Sequence, residues 1–148
     1  MNLKELFEEK VRLLENFLEQ TKNYRLQFNS EVPVDQKLDW VDELSDLREA
    51  SVNVMRALDQ EIDRARAALN RETIEKLQGD SSFQAALEKT LQLIKEIQLT
   101  DQSLFLYIQC MGSELRAQII QSLKEKEVMS KFKSQSQTQT GDELDQTV

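Results

Sequence analysis

The stretch FQAALEKTLQLIKEIQLTDQSLFLYIQCMGSELRAQIIQSL, residues 83–123, decides the fold. Its apolar residues recur three or four apart along a seam of Leu87, Leu91, Ile94, Ile97, Leu104, Ile108, Met111, Leu115, Ile119 and Leu123. That spacing is the stripe of an amphipathic helix, because side chains so placed share one face. Asp101 is the one polar member of the seam. Two readings of it stand side by side. In one, Thr100 or Asp101 caps a new helix after a short break; in the other, the helix runs on and Asp101 sits at a groove edge or pairs with another chain. Gly112 is a second weak point, costing about 1 kcal/mol relative to alanine inside a helix.

Upstream, Gly79 interrupts the pattern, and Asp80, Ser81 or Ser82 can cap the helix that begins near Phe83. Before that turn a second seam runs through Val41, Leu44, Leu47, Ser51, Met55, Leu58, Ile62, Ala65 and Leu69, with Asp35 as its expected N-cap, and fades near Thr73. Pro33 separates it from a first helix, since proline cannot sit inside a helix and restricts its predecessor. The first seam is Leu3, Phe7, Val11, Leu14, Phe17, Thr21, Tyr24 and Phe28, widened by Leu6, Leu13, Leu18 and Leu26. Such width predicts more than one neighbouring helix. Downstream, KSQSQTQTGDELDQTV has almost no apolar residues to offset the entropy of ordering it.

The expected fold class is therefore all-α. An elongated antiparallel helical hairpin carries a shorter N-terminal third helix, as a three-helix bundle or coiled coil over residues 1–132, with helices at about 2–28, 35–78 and 82–132. A flexible polar tail follows at 133–148. At 1.5 Å per residue the first helix reaches roughly 40 Å and the others about 65 to 75 Å. On those lengths the first helix covers only the base of the hairpin. The tip, with Ala65, Ala67 and Ala68 near Ala85 and Ala86, is then left as two closely packed helices. At the base, Leu104-Phe105-Leu106-Tyr107-Ile108 is apolar around a whole turn and requires a third neighbour.

Composition excludes several classes of function. Twenty-seven acidic against nineteen basic residues give a net charge of −8, which repels nucleic acid. The cations Arg116, Lys124, Lys126, Lys131 and Lys133 alternate with Glu114, Glu125 and Glu127 and read as the end of a helix, where they complement its dipole. A single cysteine, Cys110, suits a reducing compartment and reads as a small apolar side chain. The opening MNLKELFEEKVRLLENFLEQ lacks the pattern of a signal peptide, and no apolar run approaches the roughly 18 residues of a membrane span. The expectation is a cytoplasmic protein.

No histidine is present, which removes the usual general base and the histidine-paired nucleophiles. The three glycines stand apart, so no phosphate loop exists, and one cysteine cannot build a zinc or iron-sulfur site. Glu8-Glu9 and Glu43-x-x-Asp46 come nearest to a carboxylate magnesium site, but lie among charges scattered over every outward face. The chain reads as a non-enzyme with no catalytic, cofactor-binding or metal-binding residues. Its partners are proteins engaged through amphipathic helices, and self-association into a homodimer is an equal reading of the same seams. Trp40 is either an interface anchor or a cover for the base of the bundle.

The segment Leu93-Ile94-Lys95-Glu96-Ile97 with Asp101, then Ile108, Leu115 and Leu123, then Lys131-Phe132-Lys133 and Glu143-Leu144-Asp145, carries a family likeness. It resembles the FlgN/FliT-like class of small helical export chaperones of bacterial flagellar type III secretion. In that class an LIxxIxxxD segment precedes a long amphipathic helix, a short basic stretch and a polar end. The resemblance implies a chaperone that binds the C-terminal helical region of a flagellar axial or cap protein, prevents premature assembly and delivers it to the export apparatus. The third helix would supply most of the groove, with Leu93, Ile97, Leu99, Asp101, Phe105 and Ile120 as partner-binding residues. The other reading is a structural coiled-coil adaptor or scaffold in another pathway.

Overall fold

The computed structural model describes the backbone of residues 1–133 and the side chains of residues 1–125. The expected tail falls outside the described residues except for Lys133, which ends a helix. Four helices are present, α1 (Leu3–Phe28), α2 (Val34–Ala67), α3 (Arg71–Gln78) and α4 (Ser81–Lys133), and there is no strand among the described residues. The chain is all-α. It divides into two units, Met1–Phe105 and Leu106–Val148, with α4 contributing to both.

Local chemistry sets the helix ends. Asn2 opens α1 with a capping box: its side chain accepts from the Glu5 N–H at 2.9 Å, and the Glu5 carboxylate accepts from the Asn2 N–H at 3.1 Å. Pro33 precedes α2 with no side-chain cap, so Asp35 lies in the first turn instead of capping it. There it still complements the helix dipole. The single helix expected over 35–78 is two. Ala68 ends α2, and Asn70 starts α3 by accepting from the Thr73 N–H at 2.8 Å. Asp80 Oδ1 accepts from the N–H groups of Ser82 and Phe83, at 3.0 and 3.2 Å, and so caps α4. α4 then runs unbroken through Thr100 and Asp101, which rules out a cap at that point. Gly112 lies inside the same helix, and a β carbon there would meet nothing within 4 Å.

In the first unit, α1 runs antiparallel to α2 and alongside α4. One core cluster joins Leu3, Leu6 and Phe7 to Ile62, Phe83 and Ala86, with Phe7 edge-on to Phe83 at 5.7 Å between ring centres. A second joins Leu14 and Leu18 to Leu93 and Ile97. At the far end Phe28 is fully buried and its ring lies 6.3 Å from that of Trp40, which is half-buried. Trp40 thus covers core.

The expectation that α1 reaches only one end of the hairpin is corrected by the first cluster. Because α2 stops at Ala67, it is shorter than its seam suggested, and Leu3, Leu6 and Phe7 reach Phe83 and Ala86. The place assigned to bare alanine packing is therefore covered. Ala65 joins that cluster, while Ala67, Ala68 and Ala85 are exposed.

Two seam positions also differ. In α2 the inward side chain is Arg48, and Leu47 is exposed; in α4 Thr90 is 5% exposed and Leu91 is 63% exposed. Both pairs keep the three-or-four spacing, so periodicity alone does not choose between them. Thr90 and Thr21 are tolerated inside because each hydroxyl donates to a carbonyl one turn back, Ala86 O at 2.8 Å and Phe17 O at 2.9 Å. No orphan hydroxyl results.

Asp80 ties α1 to the start of α4 by accepting from Lys4 Nζ at 3.1 Å. Its backbone hydrogen bond from Phe83, and then Lys4, hold its carboxyl below the ordinary value of 3.8. A lowered folded-state value means that the stabilisation is fully present above that ordinary value and is lost as pH falls through the folded one. Asp80→Ala should therefore lower the urea midpoint at pH 7, and the gap from the native chain should shrink once the pH drops below the ordinary carboxylate value. An undiminished gap at the lowest pH would sink this account.

Candidate partner-binding surface

Arg48 projects from α2 between two aromatic rings, 4.7 Å from the centre of Phe17 and 5.7 Å from that of Phe105. One guanidinium nitrogen donates to Asp101 Oδ2, and the other donates to Thr21 Oγ1 at 3.3 Å. A single cation thereby links α1, α2 and α4. Both partners of the ion pair are largely withdrawn from water, at 19% and 20% side-chain exposure. Asp101 Oδ1 is buried and has no hydrogen-bond partner among the described residues, since the second Arg48 nitrogen is turned to Thr21.

Phe17 also lines a neighbouring apolar cleft of about 190 Å³ with Leu14, Met55, Ile94 and Ile97. Val52 and Gln98, both exposed, form its rim, and Ser51 supplies its other polar group. The volume is below the roughly 300 Å³ at which small-molecule sites begin, and matches one or two apolar side chains. Along α4, Gln98 lies seven residues from Leu91 on one side and seven from Phe105 on the other. Leu91 and Phe105 are 63% and 52% exposed. A ridge with that repeat is the seam a second helix would pack against.

Between Glu96 and Glu114 the α4 sequence carries almost no charge. From Ile97 to Ser113 the sequence holds one charged residue, Asp101, in a chain that is 31% charged, and Arg48 neutralises it. Depletion of charge with retained aromatic and aliphatic groups is the composition of an interface centre.

The six residues expected from sequence divide into distinct environments. Ile97 lines the cleft, Asp101 holds Arg48, and Phe105 flanks it. Leu93 is 3% exposed and Ile97 9%, both within the second core cluster. Leu93 is therefore removed from the binding surface, and Ile97 contributes only as a wall of the cleft. The burial of Leu93 goes with the slip that turns Leu91 outward, whereas Ile97 already belongs to the expected seam. Leu99 is exposed on α4 but does not line the cleft. Ile120 belongs to the second unit, where it, Leu106 and Ile119 are exposed. Cys110, read as a small apolar side chain, is exposed as well. In the stretch Leu104-Phe105-Leu106-Tyr107-Ile108, Leu104 is buried, Tyr107 and Ile108 are half-buried, and Phe105 and Leu106 are exposed, so the cover expected around the whole turn is only partial.

Sequence reasoning missed Arg48, Val52 and Gln98. For Arg48 the one signal was Asp101 in an otherwise apolar seam, which calls for a cation opposite it; Val52 and Gln98 carry none. Compared with known family signatures, curated proteins and solved structures, the chain matches none. No helix of the described residues is long and apolar enough to cross a membrane.

Leu93→Ala should cost about 3 kcal/mol in a denaturant titration, as expected for truncating a buried leucine, while Leu99→Ala should stay within about 0.5 kcal/mol. Equal effects would mean that the burial pattern is wrong. Arg48→Ala should destabilise by about 2 kcal/mol, less than breaking a fully buried pair because both side chains keep some solvent contact. The double variant R48M/D101L should recover much of that loss, and a double variant as unstable as the sum of its singles would refute the pairing.

Proposed function

We propose that this protein is a helix-binding chaperone that receives an amphipathic segment of a partner protein along the cleft between Val52 and Gln98. What supports the reading most directly is the exposed ridge of Leu91, Gln98 and Phe105 beside an apolar cleft sized for side chains. An incoming helix would set one or two large apolar residues into the cleft and lay its flank along the ridge. The amides of Gln98 and Gln102 offer hydrogen bonds without imposing a charge requirement, which suits a binder that shields an assembly-prone segment. Arg48 would act as a positioning residue by holding Phe17 and Phe105 on either side of one guanidinium.

Joined to the resemblance carried by Leu93-Ile94, Ile97 and Asp101, this makes the protein a cytoplasmic flagellar export chaperone. Its partner would be the C-terminal helical region of a flagellar axial or cap protein, passed on to the export apparatus. The second reading, a coiled-coil adaptor, draws on the same seven-residue spacing, with another copy of the chain as the covering helix.

Titration calorimetry with a peptide of that C-terminal helical region separates them. A one-to-one complex is expected, weakened at least about tenfold by Val52→Glu and by Leu91→Glu, with stability of the free chain changed by no more than about 0.5 kcal/mol. Absence of binding, together with a stable dimer by light scattering that the same substitutions dissociate, would favour the adaptor.

A further inference from the structure

A second cavity, of about 340 Å³, lies at the opposite end of the first unit from Trp40, and its volume falls in the range of small-ligand sites. Four stretches of chain line it, and it opens to solvent. Leu3 and Phe7 come from α1, Leu77 from α3, Phe83 and Leu87 from α4, and Arg66 from the last turn of α2. The walls are otherwise apolar apart from the amides of Gln78 and Gln84, so Arg66 is the one charged group that lines it.

Several other cations on the surrounding helices are already paired. Lys4 holds Asp80, Arg64 holds Glu61 at 2.8 Å, Arg71 holds Glu75 at 3.4 Å and Lys76 holds Glu72 at 3.5 Å. Arg66 takes part in no ion pair among the described residues. A free guanidinium at the edge of an apolar cavity is notable in a chain with a net charge of −8, where carboxylates outnumber cations. Its planar fork matches a carboxylate in two-point contact.

We infer that this cavity binds a small amphipathic anion, an alkyl carboxylate whose chain lies between Phe7, Leu77 and Phe83 and whose head group is held by Arg66. The apolar walls favour the chain by removing it from water, and the charge pairing orients it with the head toward the edge. α3 forms one wall and has no buried residue of its own, so occupancy would add contact area to a helix that has little. This site is separate from the cleft at Gln98 and does not depend on the partner reading.

The test is calorimetric titration of the full chain with decanoate, kept below its micelle concentration, beside decanol as the uncharged counterpart. Expected are saturable binding of one decanoate per chain, a raised melting temperature, and decanol binding about tenfold weaker. Arg66→Ala, at an exposed position, should erase the preference for decanoate over decanol. Leu77→Trp should block both by filling the cavity. Absent or non-saturable decanoate binding, a preference that survives Arg66→Ala, or binding unaffected by Leu77→Trp in a chain that remains helical, would each overturn the assignment.

Discussion

Arg48 sits where apolar periodicity alone would place a leucine, and the first unit is arranged around the consequences. A cation in that position must be compensated, because desolvating it unpaired costs several kcal/mol. Asp101 supplies the charge from α4, Thr21 the second acceptor from α1, and Phe17 and Phe105 the ring faces. Each partner can meet Arg48 in only one axial register. Two leucines can slide past one another by a turn with modest loss, but a hydrogen-bonded ion pair between helices cannot. Stability on either side comes from the two apolar clusters; the alignment of three helices comes from this one contact.

Much of this was legible in the chain. α1 follows its seam closely, with Leu3, Phe7, Leu14, Thr21 and Phe28 all buried, since a stripe flanked by further leucines leaves no competing face. The turn at Gly79-Asp80 and the cap at Asp80 also followed from residue type. Less legible were positions where two adjacent residues satisfied the same spacing. At Leu47 and Arg48, and at Thr90 and Leu91, hydrophobicity favoured the outward residue, because a threonine that bonds its own helix and an arginine with four partners are both better buried than their types suggest. The break at Asn70 was marked only by the fading of the seam near Thr73 and by a side chain able to cap, with no glycine or proline to place it.

The proposed binding surface inherits these slips. Once Leu91 turns outward and Leu93 inward, the exposed ridge on α4 shifts to Leu91, Gln98 and Phe105, and the cleft opens beside Gln98. Asp101 and Phe105 stand out in the sequence as a polar seam member and an aromatic in a charge-poor stretch, and both meet Arg48. Val52 and Gln98 had no such mark. A valine and a glutamine become a rim only through the cavity between them, which is a property of three helices and not of one.

Gly112 bears on how α4 holds together. With no neighbour within 4 Å of where a β carbon would stand, close packing does not explain the glycine. Its backbone entropy therefore counts against the helix without return, at about 1 kcal/mol relative to alanine. Helix formation is cooperative, so such a position divides one long run of hydrogen bonds into stretches that open with less regard for each other. Amide protons beyond Gly112 would then exchange with solvent without requiring those packed against Leu14 and Leu18 to open as well.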